Sequence, residues 1–349
     1  MISLTDDLKA YAKSRGVDLV GCTSAAAFLL GERIEVDPRT IMPEAESIVT
    51  GACYAYCHEE IAPSTPGSPR GRFGPLTRAA PPSCRHATRV IREFLEQRGF
   101  AAHWHGDLPA KMAAVRSGIA CYGKNSIVHA AGFGSFIELT AVITNARFDC
   151  VDLPIQTSDC GHCRACVDAC PTGALATPYK LDPSKCICTW LWGDPIPREM
   201  RPLVGNHIFR CGFCQNACPK NRALKPRETF PFEIEQKSDC PELIPLLLGD
   251  DDRLRQTLPA FVMEAGADTI RRNVAIALGN SGDPAGVPAL ACALQAPSAK
   301  LRGAAAWSLG RLGGPAASAA LESALQSEQD DDARNEISWS LSRRTTSES

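Results

Sequence analysis

No stretch of this sequence approaches the roughly 18 consecutive apolar residues that a membrane-spanning helix needs. The first residues, MISLTDDLKAYAKSRG, lack an apolar core after a basic start, so no secretory signal is expected there. An excess of charge of either sign is missing too: 37 Lys and Arg face 39 Asp and Glu, a net charge of −2. A molecule-wide basic field for nucleic acid is thereby excluded, although a local basic patch is not. The first 150 residues contain no phosphate loop and no GxGxxG. With 44% hydrophobic and 22% charged residues the balance is that of a globular chain, not a disordered one. These absences point to a cytosolic protein, where disulfides are rare. The 17 cysteines therefore ask for another explanation.

Nine of the 17 lie between positions 160 and 218. They begin with Cys160-Gly-His-Cys163-Arg-Ala-Cys166-Val-Asp-Ala-Cys170-Pro171, the C-x2-C-x2-C-x3-C-P run of bacterial ferredoxins. In that motif three thiolates on a tight loop hold three corners of one [4Fe–4S] cube, and the fourth ligates the other cube. A zinc site needs four ligands closing on one ion, which this run fits poorly. A reciprocal set follows as Cys211-Gly-Phe-Cys214-Gln-Asn-Ala-Cys218-Pro219. Its first slot, position 208, is Ile, so one ligand comes from elsewhere, and Cys186 and Cys188 are the candidates. The expected sets are Cys160, Cys163, Cys166 and Cys218 for one cluster, and Cys170, Cys211, Cys214 and either Cys186 or Cys188 for the other. Linked clusters carry electrons singly and perform no chemistry on a substrate themselves.

The rest of the chain reads as two further parts. Residues 1–150 alternate helix-like and strand-like segments, an α/β domain large enough to enclose a pocket. Residues 62–83, rich in Pro, Gly and Ser, read as a long loop. The stretch SIVHAAGFGSFIELTAVITNARF reads as a hairpin bent at Gly132 and Gly134. Residues 151–228 form a ferredoxin-like double-cluster domain. Residues 229–349 form an all-α domain: 271–294 is echoed at 301–325 and again from 333, with Ile276, Trp307 and Trp339 in equivalent places. A period of about 31 residues of helix, turn and helix is a short solenoid of the HEAT type, an architecture suited to docking a macromolecule. Arg271, Arg272, Lys300, Arg302, Arg311, Arg334, Arg343 and Arg344 recur along it as a candidate phosphate-facing stripe.

In this order, the three parts resemble the epoxyqueuosine reductases, cobalamin-dependent iron–sulfur enzymes of tRNA modification related to reductive dehalogenases. The resemblance is carried by GIACYGKN (118–125), Gly134-Ser135, CGHCRACVDACPTGAL, PYKLDPSKCI, IPREMRPLVGNHIF, CQNACPKN and RRNVAIALGN. It implies that Cys186, not Cys188, is the ligand. It also implies a bound cobalamin touching Gly118, Gly123, Lys124, Asn125, Gly134 and Ser135, an external electron donor, and tRNA as the macromolecule met by the solenoid. The implied reaction removes the epoxide oxygen of epoxyqueuosine at the wobble position. The family's acid falls at Asn145, whose amide cannot donate a proton as a carboxylic acid does. Reduction of a different substrate, or electron transfer without catalysis, are the alternative readings.

Overall fold

The computed structural model describes residues 3–28, 36–57, 62–158 and 160–343. It contains β1 (Leu19–Ser24), β2 (Ser47–Tyr54), β3 (Arg72–Phe73), β4 (Ala102–Trp104), β5 (Cys121–Tyr122), β6 (Val128–His129), β7 (Ile137–Thr144) and β8 (His207–Phe209). Antiparallel pairing orders four of them β1-β2-β7-β4. All eight residues of β2 are buried, because helices cover both faces of the sheet. On one face Val49, Cys53 and Val142 pack with Leu8 and Ala12 of helix Leu4–Ser14 and with Val90, Ile91 and Phe94 of helix Ala80–Glu96. On the other, Ile48, Ala141 and Ile143 pack with Phe28, Met112 and Ala113. The period-2 alternation of strand side chains separates these two sets. Each fully buried Phe or Ile contributes roughly 1.5–3 kcal/mol.

Local chemistry sets the helix boundaries. Ser3 caps the first helix, its Oγ accepting from the Asp6 N–H at 3.1 Å, with Asp6 and Asp7 in the favourable first turn. Helix Ala80–Glu96 begins inside the segment expected to be loop. Its prolines occupy first-turn positions, where no intrahelical N–H is required. The expected hairpin around Gly132 and Gly134 does not form. Only one bridge, Ala130 to Gly134, spans the bend; β6 pairs with β5, whereas β7 joins the main sheet.

The chain divides into two compact units, each assembled from three segments. One comprises Met1–His58, Arg78–Asp182 and Phe213–Glu235, the other Glu59–Thr77, Pro183–Gly212 and Gln236–Ser349. The stretch 151–228 is thus shared between the units. The second unit contains the short parallel pair β3–β8 and the helical repeats. There, helices Ala267–Ser281, Ala299–Leu312 and Asp331–Ser342 pack side by side, bringing Ile276, Trp307 and Trp339 into register. Glycine permits the close approach: a Cβ on Gly279 would lie 2.6 Å from Ser308 Oγ, and one on Gly310 would lie 2.8 Å from Ser340 Cβ.

The arginines of the expected basic stripe are largely engaged within the unit. Arg272 is buried. Arg271 pairs with Asp251 at 2.8 Å, and Arg334 donates to the Glu328 carbonyl at 2.9 Å. Arg311 and Arg343 lie over the rings of Trp307 and Trp339. Arg344 lies outside the described residues. Arg302 grips Glu328 with two hydrogen bonds, at 2.6 and 2.7 Å. That fork, chiefly, and two backbone N–H groups bring the Glu328 carboxyl down to about 2. A lowered carboxyl stabilises the fold above its unfolded pKa and ceases to do so as pH falls through the folded value. Glu328→Gln is therefore expected to cost about 3 kcal/mol at pH 7 and progressively less from roughly pH 4.5 down to pH 2. Urea unfolding across that range measures it; a pH-independent difference would refute the assignment.

Candidate iron–sulfur centre

All four cysteines expected at the first cluster fall in the sheet-bearing unit: Cys160 and Cys163 on the loop before the short helix Ala165–Asp168, Cys166 within that helix, and Cys218 further on. Burial raises the Cys166 thiol first, and the proximity of Cys218, Cys160 and Cys163 raises it further. Cys218 is raised in the same way, by burial and then by Cys160 and Cys163. Thiolates at the spacing of this loop are the ligands that a [4Fe–4S] cube takes. The loop is buckled by Lys124, whose Nζ donates to the carbonyls of Gly161 at 2.6 Å and Cys163 at 3.0 Å. Ser158 Oγ lies 2.9 Å from Cys160 Sγ, a contact suited to tuning a cluster sulfur.

The second anchor of this region is Asn221, two residues after the Cys218-Pro219 pair and buried. Its Oδ1 accepts from Ser135 N at 2.9 Å, and its Nδ2 donates to Ser135 Oγ and to the Gln215 carbonyl, both at 2.8 Å. Gln215 in turn donates to the Ser135 carbonyl at 3.0 Å. The segment carrying Cys214 and Cys218 is thereby fastened to the residues that lead into β7. Gly134 is required here: its φ is +54°, and a Cβ would collide with Asn221 Oδ1. Neither Asn221 nor Gln215 stood out in the sequence. An Asn shortly after a Cys-Pro was the only signal.

A third group surrounds the glycine turn at 123. A Cβ on Gly123 would lie 2.5 Å from His129 Nε2 and 2.8 Å from Asn125 Oδ1. Asn125 Oδ1 accepts from Ile127 N at 3.2 Å. Asn125 Nδ2, Ser126 Oγ and His129 Nδ1 are buried with no hydrogen-bond partner. Burial, followed by the charge of Lys220, brings His129 down to about 4, so its imidazole is neutral. Three orphaned polar atoms on one turn amount to a costly arrangement unless a bound group pairs with them.

The second set of cysteines divides between the units: Cys170 and Cys214 in the sheet unit, Cys186 and Cys211 in the repeat unit. Cys186 is the N-cap residue of helix Ile187–Trp192 and is half-buried, whereas Cys188 lies within that helix and is exposed. Asn145, the position implied for the family's acid, follows β7 at the end opposite Ser135, about 23 Å along the strand at roughly 3.3 Å per residue. Its Oδ1 accepts from Ala101 N at 2.9 Å. Gly118, with φ +77°, closes the turn after helix Ala110–Arg116.

Known proteins share this arrangement. Residues 159–221 match the family model of the 4Fe-4S double cluster binding domain, and 256–342 match that of HEAT repeats. An epoxyqueuosine reductase of Bacillus subtilis is 32% identical over 323 residues, 82% of each chain. One of Pseudomonas aeruginosa is 36% identical over 183 residues, about half of each. The crystal structure of an epoxyqueuosine reductase with an epoxyqueuosine-modified tRNA stem loop superposes with a TM-score of 0.85 and 30% identity, covering 97% of this chain and 98% of the other. With the double-cluster motif, the repeats and the intervening segments all kept in one order over the length of such relatives, the chain belongs to the epoxyqueuosine reductase family.

Proposed function

We propose that this chain reduces epoxyqueuosine to queuosine in tRNA. The observation that carries the reading is the double-cluster motif at residues 159–221 within a fold shared along nearly its whole length with a reductase solved with the modified stem loop. Removing the epoxide oxygen as water consumes two electrons and two protons. The clusters hold one electron each, so two arrive in succession from an external donor. Lys124 and Asn221 keep the cysteine loops in place while the clusters change charge. Among the described residues no helix is long and apolar enough to cross a membrane, and a tRNA substrate suits the cytoplasm.

The orphaned atoms of Asn125, Ser126 and His129 fit a cofactor edged with amides, as cobalamin is. Lys124 spends two donors on the carbonyls of Gly161 and Cys163, and Ser135 is bonded to Asn221. When bound, cobalamin supplies a low-valent cobalt centre for reduction. The neutral His129 and the Asn125 amide would hold its periphery, each as a hydrogen-bonding partner. Titration with hydroxocobalamin, followed in the visible spectrum, is expected to show binding, with Asn125→Leu weakening it about tenfold, the worth of one hydrogen bond. An unchanged affinity would remove Asn125 from that site. Reconstituted protein is expected to convert an epoxyqueuosine-bearing stem loop to the queuosine form. Absence of product with both clusters and corrinoid intact would overturn the proposed reaction.

A further inference from the structure

The first and last of the three side-by-side helices of the solenoid present polar residues at equivalent positions two repeats apart, and these reach the segment that runs between Cys186 and Cys211. In the first, Asn273 Nδ2 donates to the carbonyls of Leu191 at 2.9 Å and Ile208 at 3.0 Å. Asn273 Oδ1 accepts from Arg272 Nη2 at 2.8 Å. Arg272 then donates to Trp190 O at 2.6 Å and to Asp194 O at 2.8 Å, closing the C-terminal end of the helix whose N-cap is Cys186. Two turns further on, Asn280 Nδ2 donates to the carbonyls of Arg201 and Gly205, both at 2.9 Å. In the last repeat, Glu336 stands where Asn273 stands in the first. It accepts from Arg201 Nη2 at 2.8 Å and from Arg198 Nε at 3.1 Å.

The pairing is of a kind that decides structure. Asn273 is fully buried and Arg272 nearly so. The Arg272 guanidinium is pulled down to about 10, mainly by burial, and stays charged at neutral pH. A buried cation is tolerated only where its donors are satisfied, and here they are taken by the carbonyls that end a cysteine-bearing helix. The same Asn273 side chain also fixes the strand that leads towards Cys211. The repeats are therefore in contact with the chain on the inner side of both cysteines that this unit contributes to the second cluster.

We infer that the inner helices of the solenoid are the template that holds Cys186 and Cys211 at their spacing, with Arg272 and Asn273 as positioning residues for the second cluster. The inference rests on the two-cluster reading, and the first cluster, in the other unit, serves as its control. Asn273→Asp turns a double donor into a carboxylate facing two carbonyls. It is expected to lower iron from about eight to about four per chain and to leave the electron paramagnetic resonance signal of a single isolated cluster. Arg272→Lys keeps the charge and loses the fork; it is expected to retain both clusters and to shift the reduction potential of one of them alone. Equal loss of both clusters in Asn273→Asp would show a general folding role and overturn the inference. So would full iron content with unchanged potentials in both variants. Wild-type protein with only about four irons would instead refute the two-cluster reading itself.

Discussion

Exchanging Cys166 for serine is expected to empty the first cluster and lower turnover at least about 100-fold, the upper end of what changes in a metal's outer shell cost. A serine hydroxyl is a hard ligand with a high pKa and replaces a thiolate poorly on iron and sulfide. Cys166 lies among Cys160, Cys163 and Cys218, so no other thiol of the loop is spare to take its corner. The second set, Cys170, Cys186, Cys211 and Cys214, is untouched. Iron should therefore fall by about half. Measuring iron, acid-labile sulfide and stem-loop conversion on one preparation checks both statements. Near-normal conversion by a protein with half its iron would mean that the first cluster is not on the electron path.

The second large effect is expected at Asn221. Replacing it with leucine, close to it in size, leaves the buried Ser135 N without its partner, whereas Ser135 Oγ keeps Gln215 Nε2 at 3.3 Å and the Gln215 carbonyl keeps Cys218 N at 3.2 Å. One orphaned N–H and two lost hydrogen bonds are expected to cost about 3 kcal/mol together, a sizeable part of an ordinary domain's stability. Because Asn221 follows Cys218 so closely, the first cluster should become labile to oxygen and chelator before the sheet unfolds. Ser135→Ala removes only the hydroxyl and should cost about 1 kcal/mol. Thermal unfolding followed by far-ultraviolet circular dichroism, alongside the cluster's visible absorbance, separates the two events. Coincident transitions at the wild-type temperature in Asn221→Leu would contradict the role given to it.

The double-cluster motif could be read from the sequence because its constraint is local: a cube reached by three thiolates of one loop dictates the intervals between them. The strands β1 and β2 and the repeats were legible for a similar reason, since burial imposes a short period on each. What stayed hidden depends on distant partners. Lys124 looks like any turn lysine until the carbonyls of Gly161 and Cys163 are brought to it. Arg272 and Arg302 look like a basic face; only the fold reveals that the one is buried beneath carbonyls and the other is forked by Glu328. The hairpin failed because a pair of glycines permits a reversal without deciding which strands pair across it.

The interleaving of the units has a consequence for how the protein is made. The chain crosses between them five times, and the sheet unit is not complete until residue 235 has been reached. The repeat unit needs a segment near residue 60 as well as the last helices. Domains usually fold in order as they leave the ribosome, the N-terminal one first. Here that order is closed off, and contacts between segments far apart in sequence make the search slow. The nascent chain must keep the loop of Cys160, Cys163 and Cys166 unsatisfied until Cys218 and the rest of the sheet unit have emerged, so the cell's iron–sulfur carriers meet a chain already extended to about residue 235.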